Sequence, residues 1–292
     1  MSTLHKSGFV SIIGKPNTGK STLLNTLLGQ KLSIITPKAS TTRHRILGID
    51  NGEDYQIVYS DTPGVIKPKY ALHDKMMESV SHSLEDADVL VLVIAMDERF
   101  PEEEVLKIAD KAHIPTLLVI NKVDLATPES IGTRIQELST KGNFAEIIAI
   151  SALEKFNVDG LQQLILKHLP EDPPYFDKDQ LSDRPERFFI AEIIREKIFT
   201  LLQQEIPYGT EVQVLEFKEE GGLIRITADI HVERKSQKGM LIGKQGSMIR
   251  KIGTLARKDI ETFLENKVHL ELHVRVSENW KDSDKHLRGF GY

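Results

Sequence analysis

Gly14-Lys15-Pro16-Asn17-Thr18-Gly19-Lys20-Ser21 decides how this chain folds. Two glycines flank four residues and are followed by Lys and Ser, the spacing of a loop that wraps phosphates. Such a loop must turn backbone N–H groups inward, and Gly14 and Gly19 allow approaches that a side chain would block. Lys20 supplies a compact cation for the β- and γ-phosphates, and Ser21 can place a hydroxyl on Mg²⁺. Working outward, Phe9 to Ile13 reads as a short buried strand, and Thr22 to Leu28 as a helix whose amino end favours an anion.

Composition narrows the classes. The 292 residues suit two domains, and 40% apolar with 28% charged residues is ordinary globular usage. There is no cysteine, which excludes disulfides, thiolate metal sites and Cys nucleophiles. The opening residues Met1 to Gly8 are polar, so no secretory signal is expected, and no apolar run approaches the roughly 20 residues of a spanning helix. Net charge is −5 overall, but residues 184–292 hold 19 Lys and Arg against 17 Asp and Glu, net +2, leaving −7 for residues 1–183. Within 231–258, eight basic residues face the single Glu233. A charge run is commonly a solvated face, so its meaning depends on the motif inside it.

Further apolar strands follow at Tyr55 to Ser60, Val89 to Met96, Thr116 to Ile120 and Glu146 to Ile150. Helical patterns cover 74–85, 102–112, 129–140 and 158–169, the alternation of a parallel sheet covered on both faces. Arg45 to Ile49 and Tyr55 flank a hairpin turn, which predicts one antiparallel edge strand.

Ligands of such sheets sit beyond the carboxyl ends of the strands, and three more motifs fall there. Asp61-Thr62-Pro63-Gly64 offers a carboxylate to Mg²⁺ through water and the Gly64 N–H to a γ-phosphate. In Asn121-Lys122-Val123-Asp124 the last carboxylate can accept two hydrogen bonds from guanine, a donor pair that adenine lacks. Ser151-Ala152-Leu153 should bring the Ala152 N–H to the guanine oxygen. Each short motif is weak alone; four in order at strand ends are not. A nucleotide kinase would not need Asn121 to Asp124. A nucleotide site that had gone inert would show losses at Lys20, Asp61 or Asp124, and there are none.

After Leu169, Pro170-Glu171-Asp172-Pro173-Pro174 opens a polar connector over 171–183. A long helix at 187–204 and strands at 211–218 and 223–232 lead into Lys238-Gly239-Met240-Leu241-Ile242-Gly243-Lys244-Gln245-Gly246-Ser247-Met248-Ile249-Arg250-Lys251. Gly243 and Gly246 would let a turn between helices lie flat on a nucleic-acid backbone. Lys244 would neutralise phosphate, with Leu241 and Ile242 lining a groove for bases. A GxxG turn is usually only a helix cap. Here it lies in the basic run, between two helical patterns and before a strand at 268–276. Trp280, Phe188, Phe189 and Phe199 read as core rather than base-stacking platforms. The ten His residues show no metal spacing; His44 and His231 read as surface or RNA-facing.

The first 170 residues resemble a translation-factor-like GTPase domain, and Thr36-Pro37-Lys38-Ala39-Ser40-Thr41-Thr42-Arg43-His44 resembles the first switch of the Era family. The order helix, two strands, two helices, strand over 184–292, closing on Leu287-Arg288-Gly289-Phe290-Gly291-Tyr292, resembles a type II KH domain and the ending of that family. The resemblance implies an α/β GTPase domain over 1–170, a linker over 171–183 and an α+β KH domain with a tail over 184–292. It implies that Thr42 completes the Mg²⁺ shell beside Ser21 and Asp61, and that Lys20, Thr42 and Gly64 serve hydrolysis. GTP or GDP would bind together with Mg²⁺. Val65 stands where many GTPases carry a water-orienting Gln. By the same resemblance, Asn17 and the carbonyls of Thr36 and Lys38 would hold K⁺. The RNA contacts would be Gly239, Leu241, Ile242, Gly243 to Gly246, Arg250 and Lys251, although Gln245 departs from the family's commoner Gly. The implied partners are 16S ribosomal RNA near its 3′ end and the maturing 30S subunit. A slow GTP switch, monomeric and cytoplasmic, with peripheral contact at the inner face of the cell membrane, is the expectation.

Overall fold

The computed structural model describes residues 5–98 and 113–292. The helical pattern over 102–112 lies outside them. Described residues up to Asp183, apart from Lys69–Leu72, form one compact unit; Lys69–Leu72 and Arg184–Tyr292 form a second.

The first unit is a six-stranded sheet. Its strands are β1 (Lys6–Ile13), β2 (Ile46–Asn51), β3 (Tyr55–Asp61), β4 (Val89–Ala95), β5 (Thr116–Asn121) and β6 (Glu146–Ala149), in the order β2-β3-β1-β4-β5-β6. Only β2 runs antiparallel, paired to β3 across the short hairpin that the sequence signalled. The remaining pairs are parallel, so each needs a crossover over a face of the sheet. Every residue of β4 and β5 is buried, as apolar strands covered on both faces must be. One core layer joins α1 (Lys20–Leu28) and α4 (Val158–His168) to the sheet through Leu23, Leu24, Leu161 and Ile165. The opposite layer holds Val80 of α2 (Ala71–Glu85) and Leu138 of α3 (Pro128–Ser139). Thr127 caps α3, with its hydroxyl accepting from Ser130 N and Pro128 opening the first turn.

Residues 171–183, polar enough to read as a connector, lie bound along the first unit. Gln56 Oε1 accepts from the backbone N–H groups of Tyr175 and Phe176 at 2.7 and 2.9 Å, and its Nε2 donates to the Phe176 carbonyl at 2.8 Å. The Tyr175 ring stands 5.0 Å from Phe9. Further on, Ile49 N donates to the Leu181 carbonyl and Ser182 Oγ to the Leu47 carbonyl. Composition missed this because backbone groups and one buried Gln supply the grip.

In the second unit α5 (Glu186–Leu201), α6 (Lys235–Ile242) and α7 (Ser247–Phe263) accompany a sheet ordered β7 (Thr210–Glu220), β8 (Leu223–Val232), β9 (Lys267–Val276). β7 and β8 are antiparallel with a bulge between Val214 and Glu216, whereas β8 and β9 are parallel across the α6–α7 crossover. Ile194 and Ile198 of α5 and Ile252, Ala256 and Ile260 of α7 close over Ile226, Ala228 and Ile230. Phe189, Phe199 and Trp280 are buried, and Trp280 Nε1 donates to the Gly209 carbonyl at 3.0 Å, as core aromatics with a polar edge require. A short helix α8 (Asp284–Gly289), capped by Ser283, leads to the tail. Among the described residues no helix is long and apolar enough to cross a membrane.

Candidate functional site

The strand β1 ends at Ile13 and α1 begins at Lys20, so the loop between them is the turn that the glycine spacing predicted. Gly19 sits at φ 96°, in the left-handed region, and a Cβ there would lie 2.2 Å from Asn121 Nδ2. A Cβ on Gly14 would lie 2.2 Å from the Val93 carbonyl oxygen. Both glycines are therefore required by close approach and not only by the turn.

Lys20 is 6% exposed, and its Nζ donates to the carbonyls of Lys15 and Gly14 at 2.7 and 3.1 Å. Burial pulls its pKa from 10.5 down to about 8, while the carboxylates of Asp61 and Glu98 work in the other direction. An ammonium so stripped of water gains strongly from an anion. Lys15 turns away, to within 3.4 Å of Glu98. Together with residues 34–42 the loop borders an open cleft that Gly64 also lines. Thr62 Oγ1 donates to the Ile12 carbonyl, and the Val65 N–H to that of Gly14, which ties the segment after β3 to the phosphate loop. The Val65 side chain packs toward the core beneath β4 and β5.

Three oxygen donors named from the sequence converge. Ser21 Oγ donates to Asp61 Oδ2 at 2.8 Å and lies 3.0 Å from Thr42 Oγ1. Hydroxyls and a carboxylate suit a hard cation such as Mg²⁺. Sequence reading missed Ser33, whose Oγ donates to the same Asp61 Oδ2 at 2.9 Å, and Asn25, whose side chain holds the backbone of residues 32 and 33. A polar Asn among the leucines of α1, where it is a poor helix former, was the available signal. Asn17, at φ 65°, donates from Nδ2 to the Pro37 carbonyl at 3.3 Å. Thr36 Oγ1 lies 2.9 Å from Thr41 Oγ1, which also donates to the Lys38 carbonyl.

At the base end, Asp124 Oδ1 accepts from Ser151 Oγ at 2.5 Å, which orients an otherwise exposed carboxylate. Lys122 takes a left-handed conformation at φ 65° to turn the chain out of β5. Asn121 bridges two loops. Its Nδ2 donates to the Thr18 carbonyl and its Oδ1 accepts from Ala152 N, so the N–H expected at the guanine oxygen is held by a side chain on the neighbouring strand end. Leu153, next in line, is 72% exposed.

In the second unit α6 and α7 meet through Gly243 at φ 74° and Gly246 at φ 75°. Gln245 is also left-handed, at φ 50°, a backbone region that side chains other than Gly, Asn and Asp seldom adopt. Lys244, Arg250 and Lys251 are exposed and Ile242 is half-buried. Leu241 corrects the groove reading: it is fully buried among Ile252, Ala256 and Ile260, because it points from α6 into the core. His44 is likewise buried rather than on the surface. His231 is half-buried, with Nδ1 at 2.9 Å from Ser277 Oγ and its ring 4.8 Å from Phe290. No group of three or more His, Asp or Glu that could hold a metal occurs among the described residues.

A family model described as 50S ribosome-binding GTPase matches residues 9–122, and a KH domain model matches residues 205–281. GTPase Era of Clostridium kluyveri is 44% identical over 290 residues, covering 98% of this chain and 99% of that protein. The chain belongs to the Era family of GTPases. An Era crystal structure in complex with MgGDPNP and nucleotides 1506–1542 of 16S ribosomal RNA superposes with a TM-score of 0.96 at 41% identity, covering 99% of both chains. A variant of Aquifex aeolicus Era bound to GDP·AlF₄⁻ gives the same score and identity, over 98% of this chain and 99% of that one. The phosphate loop is thus a GTPase centre, with Ser21, Thr42 and Asp61 the residues that would hold Mg²⁺. That ion would offset negative charge on the bound phosphates. The chain itself supplies the buried Lys20 cation at one end of the site and the Ser151-oriented carboxylate of Asp124 at the other.

Proposed function

We propose that this GTPase binds 16S ribosomal RNA near its 3′ end through the second unit and assists maturation of the 30S subunit, in the cytoplasm. The observation that carries the proposal is the Gly243–Gly246 turn, backed by exposed Lys244, Arg250 and Lys251, on the same chain as a complete GTP site. Phosphate contacts from these side chains would give affinity, and bases splayed over the turn would be read along the side that Ile242 borders. The solved relative that holds 16S nucleotides with MgGDPNP supports the choice of RNA.

In this reading GTP orders the segments around Thr42 and Gly64, and RNA occupancy is coupled to that order. Because Val65 cannot orient water, K⁺ held near Asn17 would supply charge during a slow hydrolysis. The test measures binding of a 16S 3′-end oligonucleotide to the full chain with a GTP analogue and with GDP. Tighter binding in one state supports the proposal, whereas equal affinities, or equal binding of an unrelated single strand, would refute it. Crosslinking the GTP-bound protein to RNA in cells checks the partner directly.

A further inference from the structure

Asp61 is wholly buried, and one of its carboxylate oxygens is held from two sides. Ser21 Oγ of α1 reaches Oδ2 at 2.8 Å, and Ser33 Oγ reaches the same atom at 2.9 Å. Ser33 is itself 1% exposed, and its own backbone is fastened. Asn25 Oδ1 accepts from the N–H groups of Leu32 and Ser33, both at 2.9 Å, and Asn25 Nδ2 donates to the Ser33 carbonyl at 2.7 Å. All three Asn25 bonds run to backbone, so a helix side chain fixes the place from which the Ser33 hydroxyl points.

We infer that Ser33 is a positioning residue of the GTPase centre, locking the Asp61 carboxylate in the orientation that serves Mg²⁺, with Asn25 as its anchor. Nothing in the phosphate-binding motifs includes either residue. A carboxylate held by one hydroxyl can still swing about its Cβ–Cγ bond; held by two hydroxyls from different segments, it cannot. Ser21 must share its oxygen with the ion, whereas the Ser33 hydroxyl makes no such demand and keeps the carboxylate in place throughout. A charge-assisted hydrogen bond of this kind is among the stronger ones in a buried site. The inference rests on Asp61 serving Mg²⁺, and the wild-type control below tests that separately.

The experiment follows release of a fluorescent GDP from the full chain while Mg²⁺ is varied, comparing wild type, Ser33→Ala, Asn25→Asp, Asp61→Ala and the Ser33→Ala/Asp61→Ala double variant. Loss of the Ser33 bond to a buried carboxylate should raise the Mg²⁺ concentration that half-slows release about tenfold. GDP release without Mg²⁺ should stay unchanged. Asn25→Asp keeps the two N–H contacts and loses one, and should fall between. In the Asp61→Ala background the Ser33 change should add nothing. An unaltered Mg²⁺ requirement in Ser33→Ala, or the same loss with and without the Asp61 carboxylate, overturns the inference. Release that ignores Mg²⁺ in the wild type would overturn the Mg²⁺ reading itself.

Discussion

Asn121 Oδ1 accepts the backbone N–H of Ala152 at 2.9 Å, and the same side chain donates to the Thr18 carbonyl at 2.8 Å. One amide on β5 therefore braces the phosphate loop against the loop that follows β6. Asn121→Ala strands two buried backbone groups, at about 1–3 kcal/mol for each. We expect a lower melting temperature and at least a tenfold loss of GDP affinity, seen by calorimetry. A variant that binds GDP like the wild type would show that the brace is dispensable.

A Cβ on Gly64 would stand 2.6 Å from Pro16 N and 2.8 Å from Pro16 Cα, both backbone atoms of the phosphate loop. Neither can yield as a flexible side chain would. In Gly64→Ala the segment must draw back from the γ-phosphate position, so single-turnover GTP hydrolysis should fall on the order of 10²-fold, as when one transition-state donor is removed. GDP binding should persist. Full activity would mean that Gly64 makes no contact needed for reaction.

Asn17 reaches the Pro37 carbonyl from a left-handed backbone, which puts its amide at the junction of the phosphate loop and residues 36–38. If a monovalent cation works there, hydrolysis measured in K⁺ will exceed that in Na⁺. Asn17→Ala should abolish the difference while leaving the Na⁺ rate nearly as it was. Identical rates in the two salts would rule the ion out.

Burial holds the His231 imidazole below its usual pKa of 6.5, and His286 and Arg275 add to this while Asp229 and Glu211 oppose it. With the folded value depressed, the unfolded chain takes up the proton first, so stability is lost as pH falls through and below 6.5. The loss of melting temperature between pH 7 and pH 5 should be smaller in His231→Gln than in the wild type. Parallel pH profiles would show that His231 does not contribute.

Much of the nucleotide site could be read from the chain because its parts are local: each motif occupies a few adjacent residues at a strand end, and short-range spacing carries its geometry. What escaped reading joins distant residues. Ser33 meets Asp61 across 28 positions, and Asn121 meets Thr18 across 103, pairings that only the folded sheet creates. Leu241 was misplaced for a related reason. A leucine beside a glycine turn looks the same in sequence whether it borders a groove or fills a core, and the register of α6 against α7 settles it. Periodicity did serve for β4 and β5, since an unbroken apolar run leaves no polar face to expose.

β2 is the outermost strand of the first sheet, yet its outer rim does not lie bare: Ile49 N donates to the Leu181 carbonyl, and Leu47 meets Ser182 and Asp183. A strip of nominal tether thus acts as a seal against strand-to-strand self-association, the usual hazard of an uncovered sheet margin. A chain cut after Pro170 would keep every nucleotide motif and lose that seal. Set beside a chain cut after Asp183, its solubility rather than its affinity for GTP is where the thirteen residues 171–183 would be felt first.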